Sequence, residues 1–555
     1  MQSYLQYQKS QTSTPSPPRS RTNSKPSALS ESPFQSRDNS REGILHNETP
    51  PLVDWEDEND PDHPRNWRLS LKIRICVIVF FNVFVLDWCS SADSRTNDKI
   101  RADFGVSNTV ESLSTACYVW GIALGALAAG PISETVGRNP IYTLSRLFHL
   151  CFILGSALAP NLATQLVCRF LAGLGASIIS AIHGASVADV FDANGRSWAW
   201  PWVALSSFLG EYLCNFDIRY MRANFMPGTS FSPVVSGWIS QGSHISWRWA
   251  DWISFFMSCA IFIVTFFWLP ETFSPILLKW RAKRIRKLTG DDSYLAPIEV
   301  QTSFKKRLAH NFRRAFLMTT KEYIVILLGL WLVVVYVVEY GFLEGFNYLF
   351  RRTYGLNHGL TGTVFCTIAV GIVLSTLLST YYALQHKKRA EQWHRNTGGR
   401  EALPPENRLL PAMLVSLTFP ISIFWLGWTN YPSISIWSGL GAATLFGFSW
   451  AGIYVAIYSY ILDVYGIYAG SALATITCAR YGFAGGMSVA AGPLYSNLGT
   501  HWACTLLGCI ATLLVPIPFV FYKWGPKIRQ ISRFAGKKEL ADGAENSPDE
   551  ENEPV

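Results

Sequence analysis

The chain is poor in charge. Asp, Glu, Lys and Arg make up 15% of its 555 residues, where a soluble domain carries about 25%. That shortage excludes an ordinary water-covered surface, and the charges present gather between long apolar runs. Cysteine is sparse too, at 11 residues, and none stands at a zinc-ligand spacing. Cys76, Cys117, Cys151, Cys259 and Cys504 lie inside apolar runs and read as small packing residues. No metal site is expected. There is no Gly-x-x-x-x-Gly-Lys-Ser/Thr, which excludes ATP as a direct energy source. No catalytic constellation stands out, so neither an enzyme nor a cofactor is expected. The first seventy residues are polar, so no cleavable leader is expected and the first apolar run can act as signal anchor.

What is present is apolar: 49% of residues are hydrophobic and 14% aromatic. A bilayer crossing needs about 20 mostly apolar residues. Twelve such runs centre near Ile73–Ser91, Val110–Ala129, Ile141–Pro160, Leu162–Ala181, Trp198–Ile239 (interrupted), Trp252–Leu269, Tyr323–Tyr340, Thr361–Tyr382, Leu409–Trp428, Ile434–Tyr458, Ala469–Ala491 and Trp502–Tyr522. The pattern predicts an all-α membrane protein with twelve transmembrane helices. The net charge of +8 does not point to nucleic acid. Its excess follows spans 6, 8 and 12, in Lys279 to Lys287, Lys387 to Arg389, and Lys523 to Arg533. That is the positive-inside bias with both termini in the cytoplasm. Arg95, Lys99, Arg101, Arg351 and Arg352 run modestly against it. Residues 1–50, rich in Ser, Pro, Thr and Arg, and the acidic tail after Glu539 are expected to be disordered.

The stretch Gly130-Pro131-Ile132-Ser133-Glu134-Thr135-Val136-Gly137-Arg138-Asn139 is a short polar turn between spans 2 and 3. Its glycines permit a tight turn. It resembles the signature cytoplasmic loop of the major facilitator superfamily, in which such residues latch one helix end to a neighbour. Asp54–Trp67, Leu269–Arg284, Pro405–Pro411 and Phe424–Trp428 resemble the fungal twelve-span drug:proton antiporters, including their multidrug and polyamine exporters. The resemblance runs from about Asp54 to Phe534. It implies two six-helix halves around a central cavity. The chain then divides into an N-terminal tail (1–70), a first half (71–269), a cytoplasmic loop (270–321), a second half (322–523) and a C-terminal tail (524–555). Leu, Trp and cationic residues after Pro275 suit an interfacial helix.

Charges inside spans carry the chemistry, because each one calls for a partner or a water-filled cavity. Arg169 begins Arg-Phe-Leu-Ala-Gly-Leu-Gly in span 4; the resemblance links it to proton transfer, and the bland reading is a structural latch. Asp87, beside Trp88 late in span 1, is a proton or cation site, or an interfacial aspartate. Glu339 and Glu344 in span 7 are five residues apart, on different faces unless the helix breaks at Gly341. The resemblance makes Glu344 a general coupling site and leaves Glu339 to substrate preference; alternatively Glu344 sits in water at the outer mouth. Asp463 ends span 10 as a cytoplasmic latch. Arg480 in span 11 is a transport, structural or gating charge. His183 reads as a satisfied polar residue ahead of a proton carrier.

The fifth run is broken. Antiporters of the superfamily carry Gly-x-x-x-Gly-Pro-x-x-Gly-Gly there, packed against span 8. With 211–228 deleted, Gly210 joins Thr229, and Ser232, Pro233 and Gly237 restore that motif with Ser at two Gly positions. The deleted piece carries Asp217, Arg219 and Arg222, each costing roughly 2.5–3.5 kcal/mol at a helix centre. Its 18 residues preserve frame, so a retained intron is expected, with a genuine loop as the alternative. Sequencing the transcript decides: those codons in the main message would sink the intron.

The function expected is proton-coupled export of small amphipathic or cationic compounds such as drugs, toxins or secondary metabolites. A polyamine exporter of the same fold is the alternative, and a non-transporting receptor follows. The partners expected are a small-molecule substrate, protons and the lipid bilayer, with no nucleic acid. The protein should be a monomer in the plasma membrane, or else in the vacuolar membrane.

Overall fold

A backbone in hydrocarbon must satisfy its own N–H and C=O groups, and these apolar runs do so as helices. The computed structural model describes residues 3, 6–8, 52–57, 59–94, 96–191, 199–205, 231–242, 244–300, 318, 320–397, 403–466, 469–532 and 535. The first half contains α1 (Leu69–Ser91), α2 (Leu113–Val136), α3 (Arg138–Ala157), α4 (Leu162–Val190), a helical piece at 199–205, α5 (Phe231–Gln241) and α6 (Arg248–Trp268). The second contains α7 (Tyr323–Phe346), α8 (Phe365–Asn396), α9 (Leu410–Trp428), α10 (Ile436–Tyr465), α11 (Ala469–Leu513) and α12 (Pro516–Ile531). α11 turns at Gly499, where φ is 76°. The residues beyond it and α12 make the last crossing. Gly210 and the segment 211–228 lie outside the described residues.

Among the described residues, 9 helices are long and apolar enough to cross a membrane. α3 is a helix of 20 residues, but it is too polar to be one of them. Its polar residues share one face: Arg138, Asn139, Ser145, Arg146, His149 and Ser156 are buried, while Leu144, Leu147 and Phe148 point outward. This is the inverse of a soluble helix, as expected where lipid is the solvent.

Within each half, one pair of helices meets backbone to backbone. A Cβ on Gly121 would overlap Phe170 O, and one on Gly173 would overlap Tyr118 O, which fixes α2 against α4. Six spans later, a Cβ on Gly371 would overlap Thr444 O and one on Gly447 Ile368 O, fixing α8 against α10. The same device at equivalent positions marks the internal repeat.

The end of the bundle carrying the cationic loops is named inner, the opposite end outer. After α6, helix Ser274–Thr289 runs along the inner end with Ile276, Leu277, Leu278 and Ile285 buried. The acidic segment before α1 packs on it. Val53 N donates to Leu295 O at 2.9 Å. Arg281 of the helix pairs with Asp60 at 2.7 Å and with Glu56.

Candidate functional site

The loop between α2 and α3 is a knot of hydrogen bonds. Gly137 takes φ 100°, a conformation that favours glycine. Arg138 Nε donates to Asp189 Oδ2 at the end of α4 at 2.8 Å, and its Nη1 to Ser133 Oγ at 2.7 Å. Arg138 N and Asn139 N donate to the Glu271 carboxylate at 2.9 and 3.2 Å. Glu271, just past α6, thus holds an anion at the first turn of α3, where orphan N–H groups and the helix dipole favour one. Burial raises the Glu271 carboxyl above its ordinary value, against the lowering effect of the N–H groups of Phe273, Arg138 and Asn139. Gly130 lies within α2, and the side chain of Glu134 is outside the description.

The second half ties its inner end with the same spans. Arg408, just before α9, donates from Nε to Asp463 Oδ2 near the end of α10 at 2.8 Å. Arg529 of α12 donates to Glu406 at 2.9 Å. In the first half the carboxylate is on the sixth span and meets the third; in the second the cation is on the twelfth and meets the ninth.

Arg169 lies in the core of the first half, fully buried. Its Nη2 donates to Asp251 Oδ1 of α6 at 2.5 Å and pairs with Asp93, two residues past α1. Its Nη1 donates to Cys89 O at 2.7 Å. Ser114 donates to Asp93 at 2.7 Å and Ser156 to Asp251 at 2.8 Å. All three ionisable side chains are at most 1% exposed. Further inward the buried polar groups continue: Tyr118 lies 3.1 Å from His149 and donates to Leu86 O, and Arg146 is bound to Asn82. Asp93, Arg146, His149, Asp189, Asp251 and Glu271 were not singled out in the sequence.

The remaining candidates gather where the halves meet. Asp87 is buried on α1. One turn on, Ser90 accepts from Tyr340 of α7 at 3.5 Å, next to buried Glu339. α7 runs unbroken through Gly341, so Glu339 and Glu344 face different ways. Glu344 is half-buried and lines an outer cavity of about 330 Å³ with Thr109, Ser112, Tyr348 and Ser488. Arg480 of α11 is buried among the rings of Tyr336, Tyr454, Tyr458 and Tyr481. At the outer end α5 closes on the short helix His358–Thr363 that leads into α8. Ser232 donates to Trp88 O at 2.9 Å. A Cβ on Gly237 would lie 2.8 Å from His358 O, and one on Gly362 2.5 Å from Pro233 O.

Two repeated helix bundles meeting along a polar seam, the first with a buried ionic core and the second with a buried arginine among tyrosine rings, define a multi-pass membrane transporter. Residues 79–214 and 221–489 match the Major Facilitator Superfamily, with the break inside the interrupted fifth span. The MFS-type transporter kojT of Aspergillus flavus is 41% identical over 480 residues, covering 86% of this chain and 82% of that one. The major facilitator superfamily multidrug transporter mdrA of Aspergillus fumigatus is 31% identical over 515 residues, covering 91% and 80%. The xylose transporter XylE from E. coli, partially occluded and inward open, shares the fold with a TM-score of 0.56 at 14% identity, covering 82% and 98%. The chain belongs to the major facilitator superfamily and is a membrane transporter.

Proposed function

We propose that this chain is a proton-coupled exporter of the fungal drug:proton antiporter branch, moving small amphipathic organic compounds out across the plasma membrane by alternating access. The observation that carries this reading is the Asp93–Arg169–Asp251 centre. Two carboxylates share one guanidinium, which leaves one net negative charge in a place shut off from water. Burying net charge is costly, and a single proton cancels it. Asp93, Asp251 and Arg169 lie toward the outer end, where an exporter takes up its proton. Rocking of the halves would carry the proton inward, to be released as the next substrate binds from the inner side. The contact of α5 with helix His358–Thr363 at Gly237 and Gly362 would seal the outer end between turnovers, and the Arg138 and Arg408 ties would stabilise the closed inner end. The name of the Aspergillus fumigatus relative, a multidrug transporter, supports a small organic cargo. A polyamine exporter is the second reading, favoured by Glu344 in the outer cavity.

The test is transport in vesicles from a pump-deleted yeast expressing the chain. Export of a toxic-compound panel should follow an imposed pH gradient without ATP and stop when the gradient collapses. Pumping on ATP with no gradient refutes the coupling; transport of spermine alone would select the second reading.

A further inference from the structure

The seam between the halves holds buried polar atoms that the coupling scheme does not use. His183 of α4 stacks on Trp200 with ring centroids 5.5 Å apart, and Trp200 stacks on Tyr458 of α10 at 5.8 Å. Tyr458 in turn lies 5.6 Å from the Arg480 guanidinium. One stack thus runs from the first half into the second. Along it three buried atoms have no hydrogen-bond partner among the described residues: His183 Nε2, Trp200 Nε1 and Arg480 Nε. Buried polar atoms are normally paired, so three orphans in one stack need an explanation.

The atoms differ in kind. His183 Nδ1 lies 2.5 Å from Ser180 O. A carbonyl only accepts, so Nδ1 carries the proton and Nε2 of the neutral ring presents a lone pair. Trp200 Nε1 is a donor. Arg480 Nη1 donates to Tyr336 at 3.0 Å, and its charge is faced by tyrosine rings instead of by a carboxylate among the described residues. A guanidinium held this way, with a donor left over, is a receptor for an oxyanion.

We infer that Arg480, Trp200 and His183 form the recognition site for a small flat organic acid bearing a ring hydroxyl. Its oxyanion sits on Arg480 and Trp200, its hydroxyl donates to His183 Nε2, and its ring lies against the tyrosines. Opening of the seam admits it. This rests on the transporter reading but not on the proton coupling, and it sets the cargo apart from a cationic drug or polyamine, which Arg480 would repel.

The test measures binding by the full-length chain in detergent, with no gradient, as ligand-dependent stabilisation of Tm. 3-Hydroxybenzoate, whose hydroxyl cannot reach its own carboxylate, benzoate and benzyltrimethylammonium are matched ring probes. 3-Hydroxybenzoate should raise Tm saturably, benzoate should bind several-fold more weakly, and the cation should not bind. Arg480→Lys, which keeps the charge but loses the fork, should weaken 3-hydroxybenzoate by roughly tenfold or more, and Arg480→Met should do so further. His183→Phe should erase the preference for 3-hydroxybenzoate over benzoate. No saturable 3-hydroxybenzoate shift, a cation bound as tightly as 3-hydroxybenzoate, or folded Arg480 variants binding like wild type would each overturn the assignment. If the Arg480 variants do not fold, the wild-type probe ranking decides by itself. 3-Hydroxybenzoate binding without gradient-driven export would sink the coupling and leave this site standing.

Discussion

Asp251→Asn isolates the charge of the buried centre from its packing. The carboxylate accepts Arg169 on Oδ1 at 2.5 Å and Ser156 on Oδ2 at 2.8 Å. An amide of the same shape can keep both contacts, since its oxygen accepts Arg169 and the Ser156 hydroxyl can turn to accept from its NH2. Arg169 remains paired with Asp93. The loss is that of a charge-assisted bond made neutral, about 1–2 kcal/mol of stability. Stranding a buried charge outright costs roughly 3–5 kcal/mol, which is what Arg169→Met should do, since it leaves two facing carboxylates. The functional effect is larger. The variant centre is already neutral, as the protonated wild type is, so it has no proton to exchange. One pH unit across the membrane is worth about 1.4 kcal/mol per proton, or tenfold in accumulation. Wild type in proteoliposomes should therefore concentrate an exported fluorescent compound up to about tenfold per pH unit for one coupled proton. Asp251→Asn should bring it only to equal concentrations, while counterflow exchange between two substrate pools persists. A folded variant whose accumulation still tracks the imposed pH difference would refute the centre's role.

Arg138→Ala removes the bonds to Asp189 and Ser133 and should impair export while membrane insertion, read by surface labelling, stays intact; normal efflux at normal expression counts against the latch. Glu344→Gln should abolish or uncouple transport, whereas Glu339→Gln should shift which compounds are exported; equal losses for neutral and cationic compounds would merge the two into one acidic site. Arg281→Ala should free the segment before α1 for limited proteolysis near Trp55, because its ties to Asp60 and Glu56 go. Burial would raise Asp60, but the Arg281 hydrogen bond and the N–H groups of Asp62 and Glu56 hold it below its ordinary 3.8. Its contribution is therefore present above pH 3.8 and lost as pH falls through the lowered value. In wild type the segment should become protease-sensitive only in that acid window.

The helices were legible because hydrocarbon imposes one pattern on every span. The exceptions have physical causes. α3 looks too polar since its hydrophilic face is wrapped by neighbouring helices. A break at Gly341 was the one way to bring Glu339 and Glu344 onto one face, and α7 runs straight through it; a Cβ there would lie 2.9 Å from Met487 Cε, so the glycine serves close packing against α11. Arg138 and Arg169 were found because a cation in a loop signature or an apolar helix stands out. Their partners Asp189, Glu271, Asp93 and Asp251 were not, because an acid at a span end looks the same whether it meets water or an arginine. Arg169 and Asp251 are 82 residues apart, and only the bundle joins them. A search for acids within one or two turns of span ends on the same side of the membrane as Arg169 would have raised Asp93 and Asp251.

The glycine contacts of α2 with α4 and of α8 with α10 have a mechanical consequence. Where backbones touch, no side chain remains to change rotamer, so each pair acts as a stiff girder. Bending is then confined to the joint between girders, at contacts such as Trp120 Nε1 to Gly482 O. A lever that cannot flex transmits its full stroke. A displacement at one end of a half is therefore passed along to the other, and a methyl group at Gly121 or Gly371 would force the paired helices apart, at Gly121 against Phe170, the neighbour of Arg169.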